Sequence, residues 1–154
     1  MKRSATHSTF VIERTYSVPP ARVFAAWAES KSKTHWWGGP DEWQKSDHVL
    51  DFRVGGEETV SGGPVGGTVH SYHARYWDIV PNERIVSTYE MHLDKTRISV
   101  SLATVLLEPV GAGTRLTYTE HGVYLDGYDD AGSRERGTQQ LLSNLEKYLA
   151  KGSH

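Results

Sequence analysis

The chain contains no cysteine. That absence removes thiolate nucleophiles, disulfides and cysteine-based zinc sites together, and it fits a reducing cytosol. An excess of one charge sign is also missing: 17 Lys and Arg stand against 19 Asp and Glu, a formal net charge of -2, with both signs scattered along the chain. A polyanion such as nucleic acid therefore finds no electrostatic footprint and is not an expected partner. Long apolar runs are lacking too. The opening MKRSATHSTF is basic but has no apolar stretch of the signal-peptide kind, and no later segment reaches the length of a membrane span. The expectation is a soluble, cytoplasmic protein with no membrane partner.

Internal repeats, heptads and low-complexity tracts are absent, and 154 residues leave no room for a second core. A single domain over 1–154 is expected, with its core over about 9–150 and an unstructured end from Lys151 to His154.

The first ordered segment, TFVIERTYSV from Thr9 to Val18, alternates β-formers and stops at Pro19-Pro20, which reads as a strand. Pro20 suits the first turn of a helix, and Val23, Phe24 and Trp27 then share one face. Ser30 is a candidate N-cap for a second short helix through KSKTHWW, ended by Gly38-Gly39-Pro40. Strand-like runs follow at 45–53, 57–61, 68–79, 84–92, 97–107 and 114–121. Turns at 62–67, Pro81-Asn82-Glu83, Asp94-Lys95 and Gly111-Ala112-Gly113 join them into an antiparallel meander. Past residue 132 the period becomes helical, with Leu141, Leu142, Leu145, Tyr148 and Leu149 on one face. Further back on that face stand Thr138, Gly137 and Arg134. Small or polar groups there predict loose packing against the sheet, and so a place for a cavity. Five Trp and eight Tyr give such a cavity its wall material, because each pairs an apolar body with a polar tip.

Local motifs add a resemblance. Pro19-Pro20-Ala21-Arg22-Val23-Phe24-Ala25-Ala26-Trp27, Trp36-Trp37-Gly38-Gly39-Pro40 and Asp51-Phe52-Arg53-Val54-Gly55-Gly56 occur in order. Ile79-Val80-Pro81-Asn82-Glu83-Arg84-Ile85-Val86, Gly113-Thr114-Arg115-Leu116-Thr117 and Asn144-Leu145-Glu146-Lys147-Tyr148-Leu149 follow. Together they make the chain similar to the START-like (SRPBCC) superfamily. Within it, the chain resembles bacterial relatives of the C-terminal domain of the activator of the 90 kDa heat-shock chaperone ATPase. The resemblance implies an α+β helix-grip fold, a curved antiparallel sheet of about six or seven strands around the long C-terminal helix, with two short helices after the first strand. One departure stands out: the family pattern reads Trp-Trp-Gly-Pro, whereas here Gly39 intervenes before Pro40. The superfamily holds carriers, receptors, cyclases and chaperone cofactors, so function has to be argued from the site.

Metal binding has little support. His70 and His73 are separated by an odd number along a strand and point to opposite faces, and no H-E-x-x-H occurs. The glycine-rich 55–67 lacks the Lys-Ser/Thr ending of a phosphate loop, and no serine elbow is present. No metal and no cofactor is expected. Glu120 shares a face with Leu116 and Tyr118; were that face concave, the carboxylate would point inward, either as an acid or base of raised pKa or as the partner of a nearby arginine. Arg53 follows Asp51 by two and reads as its ion-pair partner, or otherwise as a contact for a ligand carboxylate. Trp36 and Trp37 sit where the short helices meet the sheet, one as core and one as pocket wall. Among the strand tyrosines Tyr89 and Tyr118 are the favoured pocket residues, and Gly137 and Leu141 complete the candidate set from the helix.

The leading functional expectation is a binding protein for a small hydrophobic or aromatic molecule, as a monomer or homodimer. A cyclase or aromatase with Glu120 moving a proton is the enzymatic alternative. An interaction module for a chaperone ATPase is what the resemblance adds.

Overall fold

The computed structural model describes residues 2–151. Strand β1 (Ala5–Tyr16) leads into helices α1 (Pro20–Ala28) and α2 (Ser30–Lys33). Strands β2 (Gln44–Lys45), β3 (Val49–Leu50), β4 (Glu57–Gly63), β5 (His70–Val80), β6 (Arg84–Leu93), β7 (Thr96–Val110) and β8 (Gly113–Leu125) follow, and helix α3 (Ala131–Ala150) ends the chain. All eight strands join one antiparallel sheet in the order β1-β8-β7-β6-β5-β4-β2, with β3 also paired to β4. This is the helix grip: the sheet curves around α3. No helix among the described residues is long and apolar enough to cross a membrane.

The strands run longer than local patterning predicts because cross-strand pairing extends them. β1 begins at Ala5, ahead of the expected Thr9, since Ala5 pairs with Leu125. The same ladder carries β8 beyond residue 121. In the opposite direction, the expected strand over 45–53 is broken. Ser46 leaves the ladder, its backbone N–H bonding Ser61 at 2.8 Å and its hydroxyl taking the Ser61 N–H at 2.8 Å. Only the short β2 and β3 survive, followed by a turn at 51–56. Ser30 is not an N-cap: it lies inside α2, and Glu29 caps that helix without a side-chain hydrogen bond. The last residues of the expected unstructured end, 152–154, lie outside the described residues.

The turn at 51–56 explains the Gly55-Gly56 pair. Gly55 has φ +85, the left-handed region that glycine enters without strain. At Gly56 a side chain has no room, as a Cβ would stand 2.0 Å from the carbonyl oxygen of Asp51. Gly56→Ala is therefore expected to cost about 2 kcal/mol or more, read as a lowered urea midpoint; an unchanged midpoint would refute this account of the turn.

The core fills the space between the concave face and the helices. β1 contributes Phe10, Ile12 and Tyr16, α1 contributes Val23, Ala26 and Trp27, and α3 contributes Leu142, Leu145 and Leu149. Two bonds lock the C-terminal half of α3 onto β1: the Tyr16 hydroxyl donates to the Leu142 carbonyl at 3.0 Å, and Arg14 donates to Ser143 at 3.1 Å. Asp130 caps the other end, accepting from the Ser133 N–H at 2.8 Å. That end carries no leucine on its inner face until Leu141, and there the packing opens.

Candidate functional site

Between the concave face and the N-terminal half of α3 lies a cavity of about 570 Å³. Its floor comes from alternate residues of neighbouring strands, which a pleated sheet turns to one side: Val60 of β4, Tyr72 of β5, Tyr89 and Met91 of β6, and Tyr118 of β8. α3 supplies Ser133, Arg134, Gly137, Thr138 and Leu141, spaced by helical turns. Trp37 and the segment from Gly38 to His48 form the remaining wall, where the Trp43 ring stacks on His70 with centroids 4.7 Å apart. The aromatic rings touch in series: Trp37 meets Tyr72 at 5.4 Å and Tyr72 meets Tyr89 at 5.0 Å.

The candidates from sequence separate clearly. Trp37, Tyr89, Tyr118, Gly137 and Leu141 lie on the cavity wall. Trp36 does not. It is 2% exposed and donates its indole N–H to the Ala26 carbonyl at 3.1 Å, so it belongs to the core. Arg53 is remote from the wall as well: its side chain is 69% exposed and its Nε binds Asp51 at 2.9 Å. The reason is the turn at 51–56, which replaces the strand expected there and sends the pair to solvent. Because such exposed pairs contribute little, Arg53→Ala should shift stability by less than about 0.5 kcal/mol and leave ligand affinity unchanged; a large affinity loss would return Arg53 to the site.

Glu120 faces inward with Leu116 and Tyr118 but sits one layer below the cavity, fully buried. The Tyr89 hydroxyl donates to its Oε2 at 2.8 Å and the Tyr118 hydroxyl to its Oε1 at 2.7 Å. Arg134 Nη1 is 3.8 Å from Oε2. Arg134 is thus the arginine nearest to this carboxylate among its charged contacts. Both of its oxygens are occupied, and two phenols separate it from the open space.

Arg134 is the charged group that α3 places on the wall. Its guanidinium, 12% exposed, donates to Tyr89 at 3.0 Å, Ser99 at 2.8 Å and Asp129 at 2.9 Å. Burial would lower its pKa, but Tyr89, Glu120 and Asp129 outweigh that and raise it. Burial also pushes the phenols of Tyr72, Tyr89 and Tyr118 well above the ordinary tyrosine value, assisted by Glu58 for Tyr72 and by Glu120 for the other two. All three stay protonated at neutral pH, and Tyr89 and Tyr118 donate to Glu120.

A second charged cluster, which the sequence reading did not find, lies behind Trp37. Lys33 and Glu58, 2% and 0% exposed, are paired at 2.8 Å. The Tyr76 hydroxyl donates to the same Glu58 oxygen at 2.5 Å, and His48 Nε2 meets the other at 2.6 Å. The Lys33 ammonium also stands 4.3 Å over the Trp37 ring. Burial alone would raise the Glu58 pKa, but the Lys33 charge and the bonds from His48, Lys33 and Tyr76 hold it down at about 2. His48 Nδ1 lies 2.8 Å from the Ser30 hydroxyl. Ser30, His48 and Glu58 thus have the connectivity of nucleophile, base and acid. However, Lys33 shares the carboxylate and Ser30 stands off the cavity wall, so the cluster fastens α2 to β4 and β5. Among the described residues no group of three or more His, Asp or Glu is placed to hold a metal ion, and His73 turns outward to Glu57 while His70 lines the cavity.

The family profile described as Activator of Hsp90 ATPase homolog 1-like protein matches residues 17–150. Comparison with curated proteins finds no match. Among solved structures, an uncharacterised protein from Rhizobium leguminosarum is 48% identical over 98% of this chain and 99% of its own, with a TM-score of 0.93. Mll3558 from Rhizobium loti is 45% identical over 94% and 99% respectively, with a TM-score of 0.88. DynU16, described as a protein in the dynemicin biosynthetic locus, shares the fold at 14% identity and a TM-score of 0.69, over 94% of this chain and 48% of its own.

Proposed function

The chain belongs to the Activator of Hsp90 ATPase homolog 1-like family, and from that premise we propose that it binds a small, largely apolar aromatic molecule between the sheet and the N-terminal half of α3. The observation that carries this is the cavity of about 570 Å³ walled by Trp37, Tyr72, Tyr89 and Tyr118. Its size falls in the range of small-molecule sites, and aromatic walls with a few fixed polar groups are their usual composition. Apolar ligand surface leaving water supplies affinity at about 25 cal/mol per Å², reduced by the entropy lost on association. The donors Arg134 and Tyr72 orient what enters. Proton transfer by Glu120 is not part of this reading, because Tyr89 and Tyr118 occupy its oxygens.

The direct test is native mass spectrometry of the protein purified from its own host, followed by denaturing extraction. A stoichiometric aromatic molecule is expected. A bare protein with no thermal shift across a metabolite panel would overturn the reading and shift attention to activation of a chaperone ATPase, the activity in the family's description.

A further inference from the structure

The charge around the cavity specifies what kind of aromatic molecule it takes. On the wall, Arg134 is paired with Asp129 at 2.9 Å, and Lys45 and Asp47 add one charge of each sign. Directly behind the wall, Lys33 and Glu58 cancel, and Glu120 adds a further negative charge 3.8 Å from Arg134. The guanidinium therefore has more than its own charge already balanced, and a carboxylate entering beside it would lose its water without gaining an unpaired guanidinium. An entering ammonium would fare no better beside Arg134, since the Asp129 carboxylate on the wall is already engaged by that guanidinium and Glu120 lies behind it. Hydrogen-bond donors remain. Tyr72 lines the cavity with a protonated hydroxyl that has no partner among the described residues, and Arg134 spends only its terminal nitrogens on Tyr89, Ser99 and Asp129, which leaves Nε.

We propose, resting on the binding function above, that the cavity selects uncharged aromatic molecules bearing a carbonyl-type acceptor and discriminates against aromatic carboxylates, with Asp129 as the residue that sets this preference. Asp129 is suited to that role. Its side chain is 21% exposed, and it pairs with Arg134 at 2.9 Å.

Three isosteres serve as probes: naphthamide, naphthoate and naphthylmethylamine, titrated by calorimetry into the intact protein and into Asp129→Asn. Asparagine keeps an oxygen to accept the Asp130 N–H, a bond of 2.8 Å in this structure, and a thermal melt verifies that the variant is folded. The expected order has the amide at least about tenfold tighter than either charged probe, with the variant bringing the carboxylate to within about threefold of the amide. A carboxylate or ammonium that binds the wild type as tightly as the amide overturns the selectivity while leaving the cavity a binding site. A preference that survives unchanged in the variant overturns the role of Asp129. Failure of all three probes, together with a bare protein in the mass spectrometer, overturns the binding function and the selectivity with it.

Discussion

Glu58→Gln will lower stability at pH 7 by about 3 to 5 kcal/mol, the largest single-residue effect expected in this chain. The substitution leaves Lys33 as an unpaired ammonium at 2% exposure, with an amide oxygen and the Trp37 face as poor replacements for a carboxylate. It also turns one of the two oxygens that meet Tyr76 and His48 into an NH2 donor. A combined Lys33→Met, Glu58→Gln variant should recover most of the loss, because the cost lies in stranding one charge and not in lacking the pair. Non-recovery would mean that the pair itself stabilises the fold.

The same carboxylate predicts an acid limb. Its folded pKa is depressed from 4.5 to about 2, so the unfolded chain binds the proton more readily. Stability from this source is complete above pH 4.5 and is lost as the pH falls through 2. The depression is worth about 3 kcal/mol. Urea titrations at intervals below pH 5 should show that decline in the wild type and a shallower one in Glu58→Gln. Parallel curves would show that Glu58 is not held ionised by its neighbours.

How legible these features are in the sequence depends on the range of the interaction. The meander, the two short helices and α3 follow from periods and turn residues a few positions apart, and Leu142, Leu145 and Leu149 fall where a helical period puts a buried face. Glu120 faces inward by strand alternation with Leu116. Other features depend on distant partners. Lys33 and Glu58 are 25 residues apart, and nothing in the run KSKTHWW marks one lysine for burial. Their meeting requires α2 to dock on β4, which is settled by packing around Trp27 and Trp36. Those neighbouring tryptophans also show why Trp36 and Trp37 were inseparable by pattern: they follow α2 in irregular turns, where adjacent side chains obey no period. The segment 45–53 failed for the opposite reason. Its residues suit a strand, but Ser46 pins the chain to Ser61 and the glycine turn after it reverses the direction.

Gly137 gives the sharpest test of where a ligand sits. A Cβ built there meets nothing within 4 Å, and Gly137 is exposed although it lines the cavity, so the space beside it is open. On a helix such a glycine is a liability, since it costs up to about 1 kcal/mol relative to Ala. Gly137→Leu is therefore expected to raise stability by roughly 0.5 to 1 kcal/mol from propensity alone, with any added burial against Tyr89 and Tyr118 in the same direction. The side chain then occupies space that a ligand needs, and overpacking of the bound state should weaken binding by at least about tenfold. Gly137→Ala separates the two effects: nearly the full gain in stability with little loss of affinity. Unaltered affinity in the leucine variant would place the ligand elsewhere on the molecule, whereas higher melting temperature with lost binding ties glycine at this position to keeping the cavity open at the expense of helix stability.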